Sequence, residues 1–104
     1  MGVCLQVLFR THKLEKCFLD SKLAFRTFGQ DVGERYIQRI QILQAIPNVP
    51  MLQALPMLRC HALKGNRAGE WAINLTGQIR LIFTIISQEL TIVQIEEVSK
   101  HYDD

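Results

Sequence analysis

The sequence lacks the residue spacing that a disulfide framework or a metal site requires. Its three cysteines are odd in number, which favours a reducing compartment over a secreted setting. Neither the cysteines nor the histidines pair at metal-ligand spacing, since they are spread along the chain as Cys4, Cys17, Cys60, His12, His61 and His101. We therefore predict neither a metal site nor a disulfide.

No apolar run approaches the roughly 20 residues needed to cross a bilayer. Gly2–Phe9 is apolar, but no basic residue precedes it, the run is short, and no small-residue cleavage site follows it. These absences argue against a membrane association and against a secretory signal. We expect a cytoplasmic protein.

The motifs of several enzyme classes are missing as well. Gly65–Gly69 contains two glycines but lacks the Lys-Ser/Thr ending and the following helix of a phosphate-binding loop. No serine lies in a G-x-S-x-G elbow. The sequence therefore predicts no cofactor.

What is present is an apolar core composition and an uneven charge distribution. The 104 residues are 48% hydrophobic and 21% charged, which predicts a single domain over residues 1–104. Seven basic and four acidic residues fall in 1–40, four basic and one acidic in 41–88, and one basic and five acidic in 89–104. A basic middle could contact a phosphate-bearing partner, although the charge by itself favours an ordinary solvated surface.

The first half of the chain carries apolar residues at helical spacing. After a candidate strand at Val3–Phe9, Thr11 is the N-cap of a helix that continues until Gly29. Asp31 begins a second helix, which Pro47 stops. Two consecutive helices with a tight break predict an αα-hairpin. The apolar positions that define them are Leu14, Cys17, Phe18, Phe25, Phe28, Val32, Tyr36, Ile37, Ile40, Leu43 and Ile46.

The second half alternates apolar and polar residues with a period of two. This pattern predicts strands at Leu58–Leu63, Trp71–Leu75, Ile79–Ile86 and Thr91–Val98. The short connections leave no room for helical crossovers. The predicted fold is α+β, with an N-terminal helical hairpin packed on a small antiparallel β-sheet.

Basic and proton-transfer side chains collect on or beside the predicted sheet. Arg59 and His61 share a parity on one strand, so both project from one face. Arg80 lies opposite the apolar face of its strand, where a charge must be solvated or paired. The adjoining turn and the tail add Lys64, Arg67, Lys100, His101 and Tyr102.

Simpler explanations exist for these residues. Arg80 could pair with Glu96 or Glu97 on a neighbouring strand. His61 could be an ordinary, partly exposed residue. Trp71 is interpreted as a core residue, unless its ring is exposed for a base to stack on. The residue pattern alone leaves these alternatives open.

The run Leu58–Ile73 resembles the central segment of the HigB-type plasmid-maintenance killer proteins, a branch of the RelE/ParE toxin superfamily. In that family a strand ending in L-K-G-[DN]-R leads through a small-residue turn to G-[QE]-[WY]-[SA]-[IV], and both elements are present in this run. The next strand of the family carries R-[IL]-x-F, which Arg80–Phe83 matches. Lys13–Lys16 is similar to the opening of the family's first helix, so the resemblance extends from about Lys13 to Tyr102.

The resemblance implies a toxin that cleaves mRNA, usually on the ribosome, and a helix-turn-helix antitoxin of the HigA type. DNA would be contacted only through that antitoxin. Relatives of the ParE type share the fold but inhibit DNA gyrase, and a non-catalytic, antitoxin-binding homologue is a further alternative. Fold analogy does not decide among these functions.

Cleavage by this route uses the 2′-hydroxyl of the RNA as the nucleophile and needs no metal. Cations at Arg80, Lys64 and Arg67 would stabilise the developing charge. His61 or His101 would transfer the proton, with Tyr102 assisting. The residues expected to contact RNA are Arg59, Lys64, Arg67, Trp71 and Lys100.

Overall fold

The computed structural model describes residues 4–100. Within this range the helices are α1 (His12–Leu19), α2 (Ser21–Phe28), α3 (Gln30–Ala45) and α4 (Val49–Gln53). The strands are β1 (Gln6–Phe9), β2 (His61–Ala62), β3 (Glu70–Thr76), β4 (Ile79–Ile85) and β5 (Ile92–Ser99). Single 3₁₀ turns lie at Pro56–Leu58 and Gly65–Arg67. The predicted α+β class, with helices packed on a small sheet, is confirmed.

The helix predicted from Thr11 to Gly29 is in fact two helices, which meet at Asp20. Thr11 does cap the first helix, since its side chain accepts a hydrogen bond from the Leu14 N–H. At Asp20 the backbone becomes extended, and its carboxylate accepts hydrogen bonds from the backbone N–H groups of Lys22 and Leu23. An aspartate in this position competes with the continuing helix because it caps a new one. The prediction of one uninterrupted helix was therefore wrong.

The sheet has the strand order β1-β5-β4-β3-β2. Strands β2 to β5 form the predicted antiparallel arrangement, whereas β1 pairs with β5 in parallel. Parallel pairing of the first and last strands becomes possible because the helices α1–α4 lie between β1 and the rest of the sheet in the chain. The strand predicted at Leu58–Leu63 is shortened to two residues, because Pro56 starts a 3₁₀ turn and Arg59 has a left-handed backbone, with φ 50°.

The helices cover one face of the sheet. Ile73, Leu81 and Phe83 on this face are fully buried, in one cluster with Tyr36 and Ile40 of α3. The opposite face, which we call the open face, carries a separate small cluster of Leu63, Ala72 and Ile82. Alternation along the strands places polar residues beside that small cluster.

Among residues 4–100, no helix combines the length and the apolar character needed to cross a membrane.

Candidate functional site

A small hollow lies at one end of the open face. Its volume is about 60 Å³, and its lining consists of Arg59, His61, Asn74, Gly77 and Arg80. Two stretches of chain therefore contribute to it: the segment that leads into β2, and the hairpin formed by β3 and β4. Of the basic residues expected to gather in one site, Arg59, His61 and Arg80 line this hollow, whereas Lys64 does not.

The backbone before β2 orients His61. Arg59 adopts its left-handed conformation directly after the 3₁₀ turn. Its carbonyl oxygen lies 2.8 Å from Nδ1 of the His61 ring. A carbonyl oxygen can only accept, so Nδ1 carries the hydrogen and donates it. In the neutral ring Nε2 is then the nitrogen that can take up a proton.

Arg80 occupies its position because of the register between strands. It lies opposite Asn74 on β3 and opposite Ser99 on β5. Of the two carboxylates considered as its partners, Glu96 forms a salt bridge with Arg10 and Glu97 forms one with Arg67.

Arg67 reaches across the open face and binds two carboxylates. Its Nε donates to Glu70 at 2.6 Å, and its Nη2 donates to Glu97 on β5. The hydrogen bond to Glu70 is the largest cause of a pKa raised above the usual arginine value, and the bond to Glu97 adds to it. Two carboxylates of the same protein thus compensate the charge of this guanidinium, which reduces its attraction for a phosphate.

A β-bulge brings Glu96 and Glu97 onto the same face. Consecutive residues of a regular strand point to opposite faces, but the register between β4 and β5 shifts at Ile82 and Phe83. Glu96 accepts hydrogen bonds from Thr84 at 2.7 Å and from Gln94 at 2.9 Å, while Glu97 binds Arg67. These carboxylates were missed at the sequence level, because the strict alternation expected there places only one of them on the open face.

The remaining predicted residues are more dispersed. Lys64 and Lys100 are exposed and do not line the hollow. Trp71 lies on the helix-covered face, where its ring stacks on Phe83 with centroids 6.4 Å apart. His101 and Tyr102 lie outside the described residues.

Over residues 4–100, no group of three or more His, Cys, Asp or Glu side chains is placed to hold a metal ion.

No protein-family model matches the chain, and no curated protein sequence matches it significantly. Solved structures do match. The chain is similar to the YoeB/ParE toxin from Agrobacterium tumefaciens, with a TM-score of 0.57 and 13% identity, over 94% of this chain and 100% of that one.

Two further toxin structures give the same result. The YoeB–YefM complex from Staphylococcus aureus matches with a TM-score of 0.54 and 15% identity, over 94% of this chain and 98% of that one. YafQ from E. coli matches with a TM-score of 0.53 and 15% identity, over 91% of each chain. Together these matches show that the chain has the RelE/ParE-type toxin fold.

Proposed function

We propose that this protein is the toxin of a type II toxin–antitoxin system, a HigB-like endoribonuclease formed as a single domain by residues 1–104. The observation that carries the proposal is the hollow on the open face, where Arg59, His61 and Arg80 meet. Two guanidinium groups beside an imidazole are the groups needed to bind a phosphodiester and to move a proton.

In the proposed reaction the RNA 2′-hydroxyl attacks the neighbouring phosphorus, and the 5′-oxygen of the next nucleotide leaves. Arg80 and Arg59 hold the phosphate and stabilise the charge that develops on its oxygens. His61 exchanges a proton at Nε2, because Nδ1 is committed to the Arg59 carbonyl. The products are a 2′,3′-cyclic phosphate and a free 5′-hydroxyl.

The other candidates receive different roles in this proposal. Lys64 and Lys100 are exposed cations that contact the RNA backbone beside the hollow. His101 and Tyr102 assist the proton transfers. Arg67 supports the site indirectly, because its hydrogen bond to Glu70 fixes the turn between β2 and β3. Trp71 has no role in RNA binding in this proposal, because its ring packs on the helix-covered face.

An antitoxin is the proposed protein partner. One of the similar structures is itself the complex of a toxin, YoeB, with YefM. We propose a helix-turn-helix antitoxin of the HigA type for this chain, mRNA on the ribosome as the substrate, the cytoplasm as the location, and contact with DNA only through the antitoxin.

The test incubates the purified protein with mRNA on translating ribosomes and, separately, with the same mRNA alone. The ends of the resulting fragments are then mapped. We expect a 2′,3′-cyclic phosphate end and losses on the order of 10²–10³-fold for Arg80→Gln and for His61→Ala. Arg26→Gln on α2 is the matched control, since it removes one exposed arginine outside the hollow.

Full cleavage by both hollow variants would remove the hollow from the mechanism. Poisoning of DNA gyrase by the wild type without RNA cleavage would replace the proposal with the ParE-type function. A wild type that binds an antitoxin but does neither would be a non-catalytic homologue.

A further inference from the structure

A second arginine pair lies behind the hollow, on the helix-covered side of the same hairpin. Arg35 and Arg39 are one helical turn apart on α3. Arg35 donates from Nη1 to the carbonyl oxygen of Leu75 at 3.3 Å, and Arg39 donates from Nε to the carbonyl oxygen of Asn74 at 3.1 Å. Both guanidinium groups are therefore fixed to the end of β3.

Asn74 connects the two arginine pairs. Its side chain lines the hollow with Arg59 and Arg80, while its carbonyl oxygen accepts the hydrogen bond from Arg39. The hairpin that joins β3 to β4 is thus flanked by two arginines on each face of the sheet. Four permanent positive charges around one short hairpin create a strong positive potential at this end of the molecule.

The pair on α3 is unfavourable for the isolated protein. Arg39 is only 4% exposed, yet its hydrogen bonds go to neutral oxygens, those of Asn74 and of the Gln38 side chain. Burial, and then the charge of Arg35, lower the pKa of Arg39. Asp31 and Glu34 are near in sequence, but among the described residues neither forms a salt bridge with these arginines.

An uncompensated pair of like charges that the fold holds in place suits an anionic ligand. Like charges four residues apart on a helix destabilise it, and a buried charge without a counter-ion costs more. A bound phosphate would remove both penalties. The donors that remain for it are the Nε and Nη2 groups of the exposed Arg35, which make no hydrogen bond among the described residues, while the buried Arg39 adds its charge one helical turn away.

We propose that Arg35 and Arg39 form a second phosphate-binding site, for a backbone phosphodiester of the same RNA strand that enters the hollow. The strand would pass around the exposed tip of the hairpin at Gly77, with one phosphate on each side. This inference rests on the proposed function, because it assigns RNA as the ligand of both sites.

The experiment measures binding of a mixed-sequence 2′-O-methyl oligoribonucleotide, which cannot be cleaved through the 2′-oxygen, at several salt concentrations. Arg35→Gln should weaken binding about 5- to 10-fold and should reduce the slope of log K against log salt by about 0.7, the value for one lost contact to a single strand. Arg35→Lys should keep the slope, because it keeps the charge. Arg26→Gln, which removes an exposed arginine from α2, should match the wild type.

Equal slopes for Arg35→Gln and Arg26→Gln would overturn the inference, and so would binding weakened equally by Arg35→Lys and Arg35→Gln. Urea unfolding of each variant excludes loss of the fold as the cause. Cleavage of unmodified RNA is measured separately. If Arg35 contributes to RNA binding but the protein does not cleave RNA, the second site is supported and the proposed function is wrong. If the protein cleaves RNA but Arg35 does not affect binding, the proposed function is supported and the second site is wrong.

Discussion

At the scale of single residues, the site depends on backbone conformations that side-chain chemistry alone does not reveal. Arg59 has a positive φ, which costs a non-glycine residue about 1–2 kcal/mol. In return, its carbonyl oxygen holds the His61 ring and its own side chain joins the hollow. The hydrogen bond fixes the tautomer of the neutral ring, with the hydrogen on Nδ1.

The contact between Arg67 and Glu97 can be measured by a double-mutant cycle. We expect Arg67→Gln and Glu97→Gln each to lower the free energy of unfolding, with a coupling of at most about 1 kcal/mol, since Glu97 is about half exposed and water screens the pair. Urea titrations of the wild type, both single variants and the double variant give the coupling. A coupling of zero would mean that the two side chains do not interact in solution.

The partly buried thiol of Cys60 should make the protein less stable at alkaline pH. Burial raises the pKa of its thiol to about 11 from a usual value of 9.0. Between these values the unfolded chain releases the proton while the folded protein retains it, so the free energy of unfolding should fall as the pH rises from about 9 to about 11. Tyr36 acts in the same direction at higher pH, because burial also raises the pKa of its hydroxyl.

Urea midpoints from pH 8 to pH 10.5 test this dependence on Cys60. The Cys60→Ala variant should lose stability less steeply than the wild type over this range, because it has no thiol to titrate. The same slope in both proteins would show that Cys60 is not the responsible group. Cys4, which is exposed, provides the control variant Cys4→Ala, and it should follow the wild type.

At the scale of elements, the helices pack closely because small residues permit it. A Cβ atom on Gly33 of α3 would lie 2.9 Å from the Phe25 ring and 3.0 Å from the backbone of Ala24 on α2. Backbone atoms cannot move aside as a flexible side chain can, so the two helices would have to separate. The break at Asp20 sets the direction in which α2 leaves α1 and meets α3.

Gly33→Ala should therefore destabilise the protein by about 1–3 kcal/mol, although alanine is the better helix former by about 1 kcal/mol. Chemical denaturation measures the effect. A matched control is Gln41→Ala, an exposed position on the same helix, which should change stability by less than about 0.5 kcal/mol. A more stable Gly33→Ala variant would contradict the observed approach of α2 and α3.

At the scale of the whole molecule, the sheet separates packing from proposed chemistry. One face is buried under the helices, and the other carries the hollow, the carboxylates of the bulge and the Arg67 contacts. A residue on β3 therefore points to the helix-covered face or to the open face, according to whether its number is odd or even. Trp71 has the parity of the buried face and Asn74 that of the open face.

Replacing Trp71 tests this separation. Trp71→Phe should lower the free energy of unfolding by about 1–3 kcal/mol, because it removes part of a ring that packs on Phe83. It should leave the affinity for the 2′-O-methyl oligoribonucleotide unchanged within about twofold, since the ring does not reach the open face. A tenfold loss of affinity in a variant that remains folded would place Trp71 in the RNA interface instead.

Much of the fold could be predicted from the sequence, and less of the candidate site. Apolar residues at steps of three and four, followed by strict alternation, identified the helical first half, without the break at Asp20, and the strands β3, β4 and β5. The same patterns could not place Glu96 and Glu97 on one face, because a bulge forms through pairing with a second strand. Nor could they bring Arg35 and Arg39 to the end of β3, since 40 residues separate Arg35 from its acceptor and 35 separate Arg39 from its acceptor.

The sequence by itself determined the order of helices and strands, the apolar positions of the core, and the presence of arginine and histidine near the second and fourth strands. These features are local, since they follow from periodicity and from single residues such as Thr11 and Gly29. Only the tertiary structure decided which charged side chains lie close together and which of them form salt bridges within the protein. The register of the strands places Arg80 in the same hollow as His61, and the Arg67 side chain forms a salt bridge with Glu97 on β5. Distances between strands depend on the folded backbone and not on sequence spacing.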